Sequence, residues 1–336
     1  MKKAIHRILF MTISVLTGNS LWAQDPQLSQ FYSSQLYTNP AFAGEGKKLR
    51  LSSSIRNQYT ALKNNYKTTV FSIDGNVPKF NGGLGLLVSY DQAGDGFLQT
   101  ISVSGIYAYN MQVNRNLAVN AAIQASIVQR SYDVSRLRFG DQLNEMAGFT
   151  GLPSDDLRNL NFQGTAFTNL ACGILAYSNG FYGGIAVHNM LQPNQSFLNV
   201  VDGTNMPVML PRRSTVHGGV NLYMSHSRHK EEKVILSPNI LFMQQQNFYQ
   251  VNLGLYLKKQ ILTVGAWLRQ TSRNSDAVIL LVGLRLPAFK VGYSYDATIS
   301  KSRTSMGGSH ELSMVFQIKT KSHRSNRSKL LKCPDL

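Results

Sequence analysis

Residues 117–127 read Leu-Ala-Val-Asn-Ala-Ala-Ile-Gln-Ala-Ser-Ile. In an extended chain Leu117, Val119, Ala121, Ile123, Ala125 and Ile127 share one face, and Asn120, Gln124 and Ser126 share the other. Side chains alternate sides along a strand, so this stretch reads as a strand with one apolar and one polar face. The pattern recurs. Tyr249, Val251, Leu253, Leu255 and Leu257 alternate with Gln250, Asn252, Gly254 and Tyr256. Leu262, Val264, Ala266 and Leu268 alternate with Thr263, Gly265, Trp267 and Arg269. His310, Leu312, Met314, Phe316 and Ile318 alternate with Glu311, Ser313, Val315 and Gln317. Strands of a soluble sandwich run about five or six residues. These runs are nearer twice that, the length of a tilted strand crossing a bilayer with lipid on one side and a polar lumen on the other.

Fourteen such strands fit the chain, at 47–58, 65–76, 82–92, 98–111, 114–131, 165–177, 180–192, 213–225, 233–244, 248–258, 260–272, 276–286, 288–298 and 307–319. The expected fold is all-β: a transmembrane antiparallel β-barrel of about 14 strands with an N-terminal plug-like segment. An even count suits a closed bacterial barrel. The longest connections, 132–164 and 193–212, both follow odd strands, whereas Ser178-Asn179, the Lys259 region and Pro287 mark tight turns after even ones. Long loops outside and short turns inside predict a periplasmic N-terminus and C-terminus.

The N-terminus sets the compartment. Lys2, Lys3 and Arg7 precede a short apolar run, Ile8 to Leu16, and a small residue, Ala23. That is the pattern of a cleaved signal peptide, and the run is too short to span a bilayer. Its removal leaves 31 basic and 17 acidic residues in 24–336, a net +14. Export argues against nucleic acid as the partner of this charge and favours an anionic membrane surface, a polyanionic glycolipid or an acidic protein. The domain reading is therefore signal peptide 1–23, plug or leader segment 24–46, barrel 47–319 and basic periplasmic tail 320–336. That tail, with Lys319, carries Lys321, Arg324, Arg327, Lys329 and Lys332. Two cysteines, Cys172 on an apolar face and Cys333 in the tail, are too few for a disulfide framework and are expected to be free thiols.

A barrel of fourteen strands encloses more space than its own side chains fill, since about eight strands reach that limit. Residues 24–44, QDPQLSQFYSSQLYTNPAFAG, are candidates to fill it. Phe31, Tyr32, Tyr37 and Phe42 are expected to pack in the periplasmic half, while Gln30, Gln35 and Asn39 satisfy lumen groups. Pro40 biases Asn39 towards an extended shape. On the strand phases Arg50, Arg56, Arg130, Lys258, Arg269, Arg285 and Lys290 point inward, as do Asp296 and Glu311. These charges read either as a salt-bridged network that stiffens the barrel or as a positive lining for an acidic partner segment. The sequence contains no nucleophile elbow and no zinc-ligand spacing, and Gly83-Leu-Gly85 sits inside a strand, where glycine marks close packing. The expectation is a non-enzyme with no cofactor and no metal.

Several stretches carry a family resemblance. The segment 24–44 resembles the N-terminal signature of the PorP/SprF family, outer-membrane proteins of the type IX secretion system of Bacteroidota. Arg56-Asn-Gln-Tyr59, VHNMLQPNQSF (187–197), LPRRSTVHGG (210–219), VGYSYDATIS (291–300), GGSHELSM (307–314) and Cys333-Pro334 are similar to its later motifs. The resemblance implies a barrel in the bacterial outer membrane that serves protein secretion or gliding motility. It implies two partners, the periplasmic ring lipoprotein complex of the secretion machine and the C-terminal sorting domain of a secreted adhesin. The competing reading is a transporter of hydrophobic small molecules resembling the FadL family, which also has fourteen strands, an N-terminal plug and an early Asn-Pro-Ala like Asn39-Pro40-Ala41. The inward arginines argue against an apolar ligand cavity.

Overall fold

The computed structural model describes residues 25–45, 48–62, 65–94, 97–133, 140–144, 148–151, 164–196, 208–224, 234–272, 277–299 and 307–319. The signal-peptide region 1–23 and the basic tail 320–336, with Cys333, lie outside them.

The long alternating runs form β1 (Lys48–Gln58), β2 (Tyr66–Val77), β3 (Gly82–Ala93), β4 (Leu98–Gln112) and β5 (Ala118–Tyr132). A two-residue hairpin follows in the long loop, β6 (Leu143–Asn144) and β7 (Gly148–Phe149). The wall resumes with β8 (Thr165–Tyr177), β9 (Phe181–His188) and β10 (Arg213–Val220), which continues as β11 (Leu222–Tyr223). It ends with β12 (Val234–Gln245), β13 (Phe248–Lys259), β14 (Leu262–Thr271), β15 (Ala277–Arg285), β16 (Phe289–Thr298) and β17 (Ser309–Lys319). Counting β10 and β11 as one, fourteen strands pair antiparallel with their neighbours in chain order. β1 pairs with β17 from Lys48↔Lys319 to Gln58↔Ser309, so the sheet closes on itself and leaves no open edge.

Ile123, Ile127, Ile174, Leu253 and Leu280 stand exposed on the outer face, while Asn120, Gln124, Ser52 and Ser54 are buried inside. A wall that is apolar outside and polar inside is stable only with lipid around it. The strand ends differ from the sequence reading where side chains compete with the ladder. β5 begins at Ala118 rather than 114, because the Asn114 side chain accepts from the backbone N–H groups of Asn116 and Leu117 at 2.8 and 2.7 Å. β9 stops at His188 because Asn189 and Gln192 adopt φ of 58° and 47°. β10 is broken at Asn221, beside the stretch of β12 that holds Pro238, which has no N–H to donate. The Asn221 side chain instead accepts from the Ser237 hydroxyl at 2.7 Å.

Candidate functional site

The lumen is filled by residues 25–45. At the short-turn end, just before β1, Gly44 takes φ +68° and donates its N–H to Asp74 Oδ2 at 2.9 Å. Arg50 holds the same carboxylate at 2.8 Å and also donates to the Phe42 carbonyl at 3.1 Å. The chain passes so close to β3 that a Cβ on Gly83 would collide with the Ala43 carbonyl and Gly44 Cα.

A 3-10 turn (Pro40–Phe42) and one helical turn (Gln35–Thr38) follow towards the N-terminus. Asn39 joins them, completely buried. Its Oδ1 accepts from the Ala41 N–H at 2.9 Å, its Nδ2 donates to the carbonyls of Ile174 and Ile185 at 3.1 and 3.3 Å, and the same nitrogen lies 3.1 Å from His217 Nε2. The amide occupies a slot left by Gly173 and Gly184, where a Cβ on Gly184 would lie 2.8 Å from Nδ2. Asn120 donates to the Ala41 carbonyl at 3.0 Å, and His188 Nε2 lies 3.2 Å from the Thr38 carbonyl. Phe42 stacks on His217 with centroids 5.3 Å apart. Phe31 and Tyr32 meet Trp267 at 4.9 and 5.4 Å, and Tyr32 also meets Tyr182 and Tyr256. Edge-to-face contacts of this kind add to the burial of the rings.

The N-terminal part of the segment is held by charge. Arg56 bridges Asp296 at 2.9 Å and Glu311 at 3.3 Å, and Arg269 bridges Asp296 at 3.0 Å. Each of the four lies two residues from the long-loop end of its strand. Two cations face two anions, and the plug completes the set. The N–H groups of Ser29 and Gln30 donate to Glu311 at 2.6 and 3.0 Å, and the Ser29 hydroxyl donates to Asp296 at 2.5 Å while accepting from Arg56 and Arg269. The Gln30 amide donates to the Glu311 carbonyl at 2.9 Å and accepts from Ser313 at 2.6 Å. Buried charges require dense hydrogen bonding to be tolerated, and within these four side chains only Arg56 Nε and Asp296 Oδ1 are buried without a partner among the described residues. Farther on, Asp25 pairs with Arg213 at 3.4 Å and accepts from Asn189 at 2.9 Å. Arg213 lies 5.2 Å from the Tyr37 ring centre, and the Tyr37 hydroxyl donates to the Pro26 carbonyl at 2.6 Å. Burial pushes that phenol up to about 12, so it remains a neutral donor.

Phe31, Tyr32 and Phe42 thus pack in the short-turn half, but Tyr37 and Asp25–Gln30 climb into the long-loop half. The expected confinement to one half fails because the anchoring ions sit near the opposite rim. Gln35 also departs from expectation, since its Oε1 is buried without a partner. Of the other inward charges, Arg130 donates to Thr100 and Gln195, and Lys258 Nζ is buried 5.9 Å from the Tyr256 ring centre. Arg285 and Lys290 are cross-strand neighbours at the short-turn end, away from the ionic cluster. Sequence reasoning passed over Asp25, Asp74 and Arg213, and placed Asn120 on the polar face without assigning it a partner. The alternation of β2 already turned Asp74 inward.

Above the plug, on the long-loop side, lies a cavity of about 740 Å³ whose lining includes Asp25, Tyr37, Arg56, Arg130, Arg213 and Gln250.

A family model described as "Type IX secretion system membrane protein PorP/SprF" matches residues 20–316. No curated protein matches the chain. Among solved structures, the Acinetobacter baumannii outer membrane protein Omp33 is 11% identical, with 82% of this chain and 100% of that one covered at a TM-score of 0.44. The Pseudomonas putida toluene transporter TodX is 9% identical over 89% and 96%, at 0.46. The monoaromatic hydrocarbon channel CymD is 13% identical over 87% and 94%, at 0.47.

Proposed function

The chain belongs to the PorP/SprF family of type IX secretion system membrane proteins, and on that premise we propose that it supports the secretion or surface attachment of partner proteins, adhesins among them, and through them gliding motility. It is an outer-membrane β-barrel, and membership of this family associates it with the secretion machinery. The proposal extends that association to the periplasmic ring lipoprotein complex and to the C-terminal sorting domain of a secreted adhesin. It assigns the barrel no catalytic step and no cofactor.

The observation that carries the reading is the filled lumen. A barrel whose interior is occupied by Asp25–Glu45 from one rim to the other is poorly suited to be the conduit itself. It is better suited to act as a closed platform on which cargo and machinery meet. The cavity lining supports this over transport of a hydrophobic small molecule, because apolar ligands call for apolar walls and this wall carries Asp25, Arg56, Arg130 and Arg213. The test is deletion of the gene in its host, followed by quantification of sortase-independent, C-terminally sorted proteins at the cell surface. Loss of one or more such proteins from the surface, restored by the full chain, is the expected result. An unchanged surface proteome together with unchanged motility refutes the proposal.

A further inference from the structure

We propose that the cavity on the long-loop side of the plug is a binding site for a neutral, polyhydroxylated ligand, namely the end of an oligosaccharide. The inference rests on the cavity lining and is independent of the secretion role. It starts from two amides. Gln250, on β13, is completely buried, lines the cavity, and has no hydrogen-bond partner among the described residues for either Nε2 or Oε1. Gln124, on β5 and also lining the cavity, is 7% exposed and leaves Oε1 without a partner. Buried polar groups as a rule find partners, and an amide offers adjacent donors and an acceptor, the arrangement that a vicinal diol satisfies.

The wall on the Gln124 side continues the theme. Ser89, Ser102, Ser104, Ser126 and Thr100 present hydroxyls from β3, β4 and β5. Charge, by contrast, is largely offset within the lining, where Arg56, Arg130, Arg213 and Arg269 stand with Asp25, Asp91 and Asp296. Arg56 and Arg269 share Asp296, and Arg213 faces Asp25. Arg130 reaches Thr100 and Gln195. A lining whose ions are largely offset, and in which Gln250 and the Gln124 Oε1 keep unused hydrogen-bonding capacity while Gln124 Nε2 donates to Ser126, favours an uncharged hydrogen-bonding ligand over an acidic one. Aromatic rings complete the lining: Tyr59 and Tyr66 stand edge to face at 5.9 Å, and Phe167 and Phe248 also line the cavity. Ring faces of this kind pack against the C–H face of a sugar. A volume of about 740 Å³ is within the range of small-ligand sites and accommodates a few sugar rings. An extended polypeptide also uses amides, but its alternate side chains need pockets, and a continuous hydroxyl wall supplies none. Asp25, Gln27 and Tyr37 of the plug also line the cavity, so the ligand is captured from the long-loop side and not passed through.

The test uses the full chain purified in mild detergent. A panel of neutral oligosaccharides spanning glucose, galactose, mannose and N-acetylglucosamine units is screened by saturation-transfer NMR, with Ser/Thr/Gly-rich peptides as the competing class. Saturable binding of at least one sugar is expected. The near-isosteric variants Gln250→Leu and Gln124→Leu, on opposite walls, should each weaken it by about tenfold, the effect of losing a bidentate contact. Wild-type heat-modifiable mobility on gels shows that each variant is folded, and the second variant serves if the first is not. Intact and deacylated outer-leaflet glycolipid, added as competitors, assign the sugar to a membrane lipid or to a soluble glycan. Failure of every sugar to bind, binding of peptide in their place, or sugar affinity unchanged in both variants overturns the inference.

Discussion

Replacing Asn39 by Asp removes one donor and keeps the side chain's shape. In the native barrel Nδ2 donates to the carbonyls of Ile174 and Ile185 at 3.1 and 3.3 Å. In Asn39→Asp a carboxylate oxygen faces those two carbonyls, in a slot walled by Gly173 and Gly184 with no room to turn away, and the one group there able to donate to it is His217, whose Nε2 lies 3.1 Å from Asn39 Nδ2 in the native protein. Two lost hydrogen bonds cost about 1 kcal/mol each. Burying the carboxylate adds several kcal/mol more, offset in part when the His217 ring donates to it. The sum is at least on the order of 4 kcal/mol, roughly three powers of ten in the ratio of docked to undocked plug. The lipid-facing strands are untouched, so the variant should insert and remain heat-modifiable. In planar bilayers it should conduct where the native protein conducts little, and residues 25–44 should become sensitive to protease. A proton taken up by the new carboxyl or by His217 beside it restores a donor, and burial raises the carboxyl's pKa in the docked state. Docking of the variant is therefore strongest at low pH and weakens as pH rises through that raised pKa, so conductance should climb with pH. Asn39→Ala, which loses the bonds but buries no charge, should show a smaller, pH-independent effect. If Asn39→Asp conducts no more than the native barrel and its segment stays protected, the slot does not hold the plug.

Glu311→Gln leaves Arg56 and Arg269 with only Asp296 and weakens the acceptor for the Ser29 and Gln30 N–H groups. A loss of about 3–5 kcal/mol is expected, read as a lower temperature for heat-modified migration; an unchanged temperature contradicts the network's role. Cys172 is on the outward phase of β8 and free, so in proteoliposomes it should resist maleimide, whose addition needs a thiolate that lipid disfavours, and be labelled without prior reduction once the chain is unfolded in denaturant. Tags placed in 132–164 are expected to be labelled on intact cells and a tag after Leu336 is not; the opposite pattern reverses the topology. Gly83→Ala drives a methyl into the backbone of Ala43 and Gly44, so it should raise conductance while leaving insertion intact.

Much of the wall was legible residue by residue. Ile123 and Ile127 face lipid and Asn120 and Gln124 face inward because a strand turns successive side chains to opposite sides, a rule that needs no knowledge of neighbours. Long, even-numbered runs then imply closure, since an open edge in lipid leaves backbone groups unpaired. The ends of β5 and β10 were less legible, because Asn114 and Pro238 act on the ladder through short-range bonding that hydropathy does not record.

The interior was decided elsewhere. Local sequence marked Arg56, Arg269, Asp296 and Glu311 as inward, yet which cation meets which anion depends on the register of strands far apart in the chain, and the level of the ring depends on where each strand begins. Asn39 finds its carbonyls 135 and 146 residues away, and nothing near Asn39 names them. By itself the sequence determined the period, the two faces and a polar, aromatic leader unable to bury itself alone. Only the closed barrel, by bringing Gly173, Gly184, Asp296 and Glu311 round one lumen, determined that the leader threads it from rim to rim, because hydrogen bonds and ion pairs act over a few ångströms in space and are indifferent to separation along the chain.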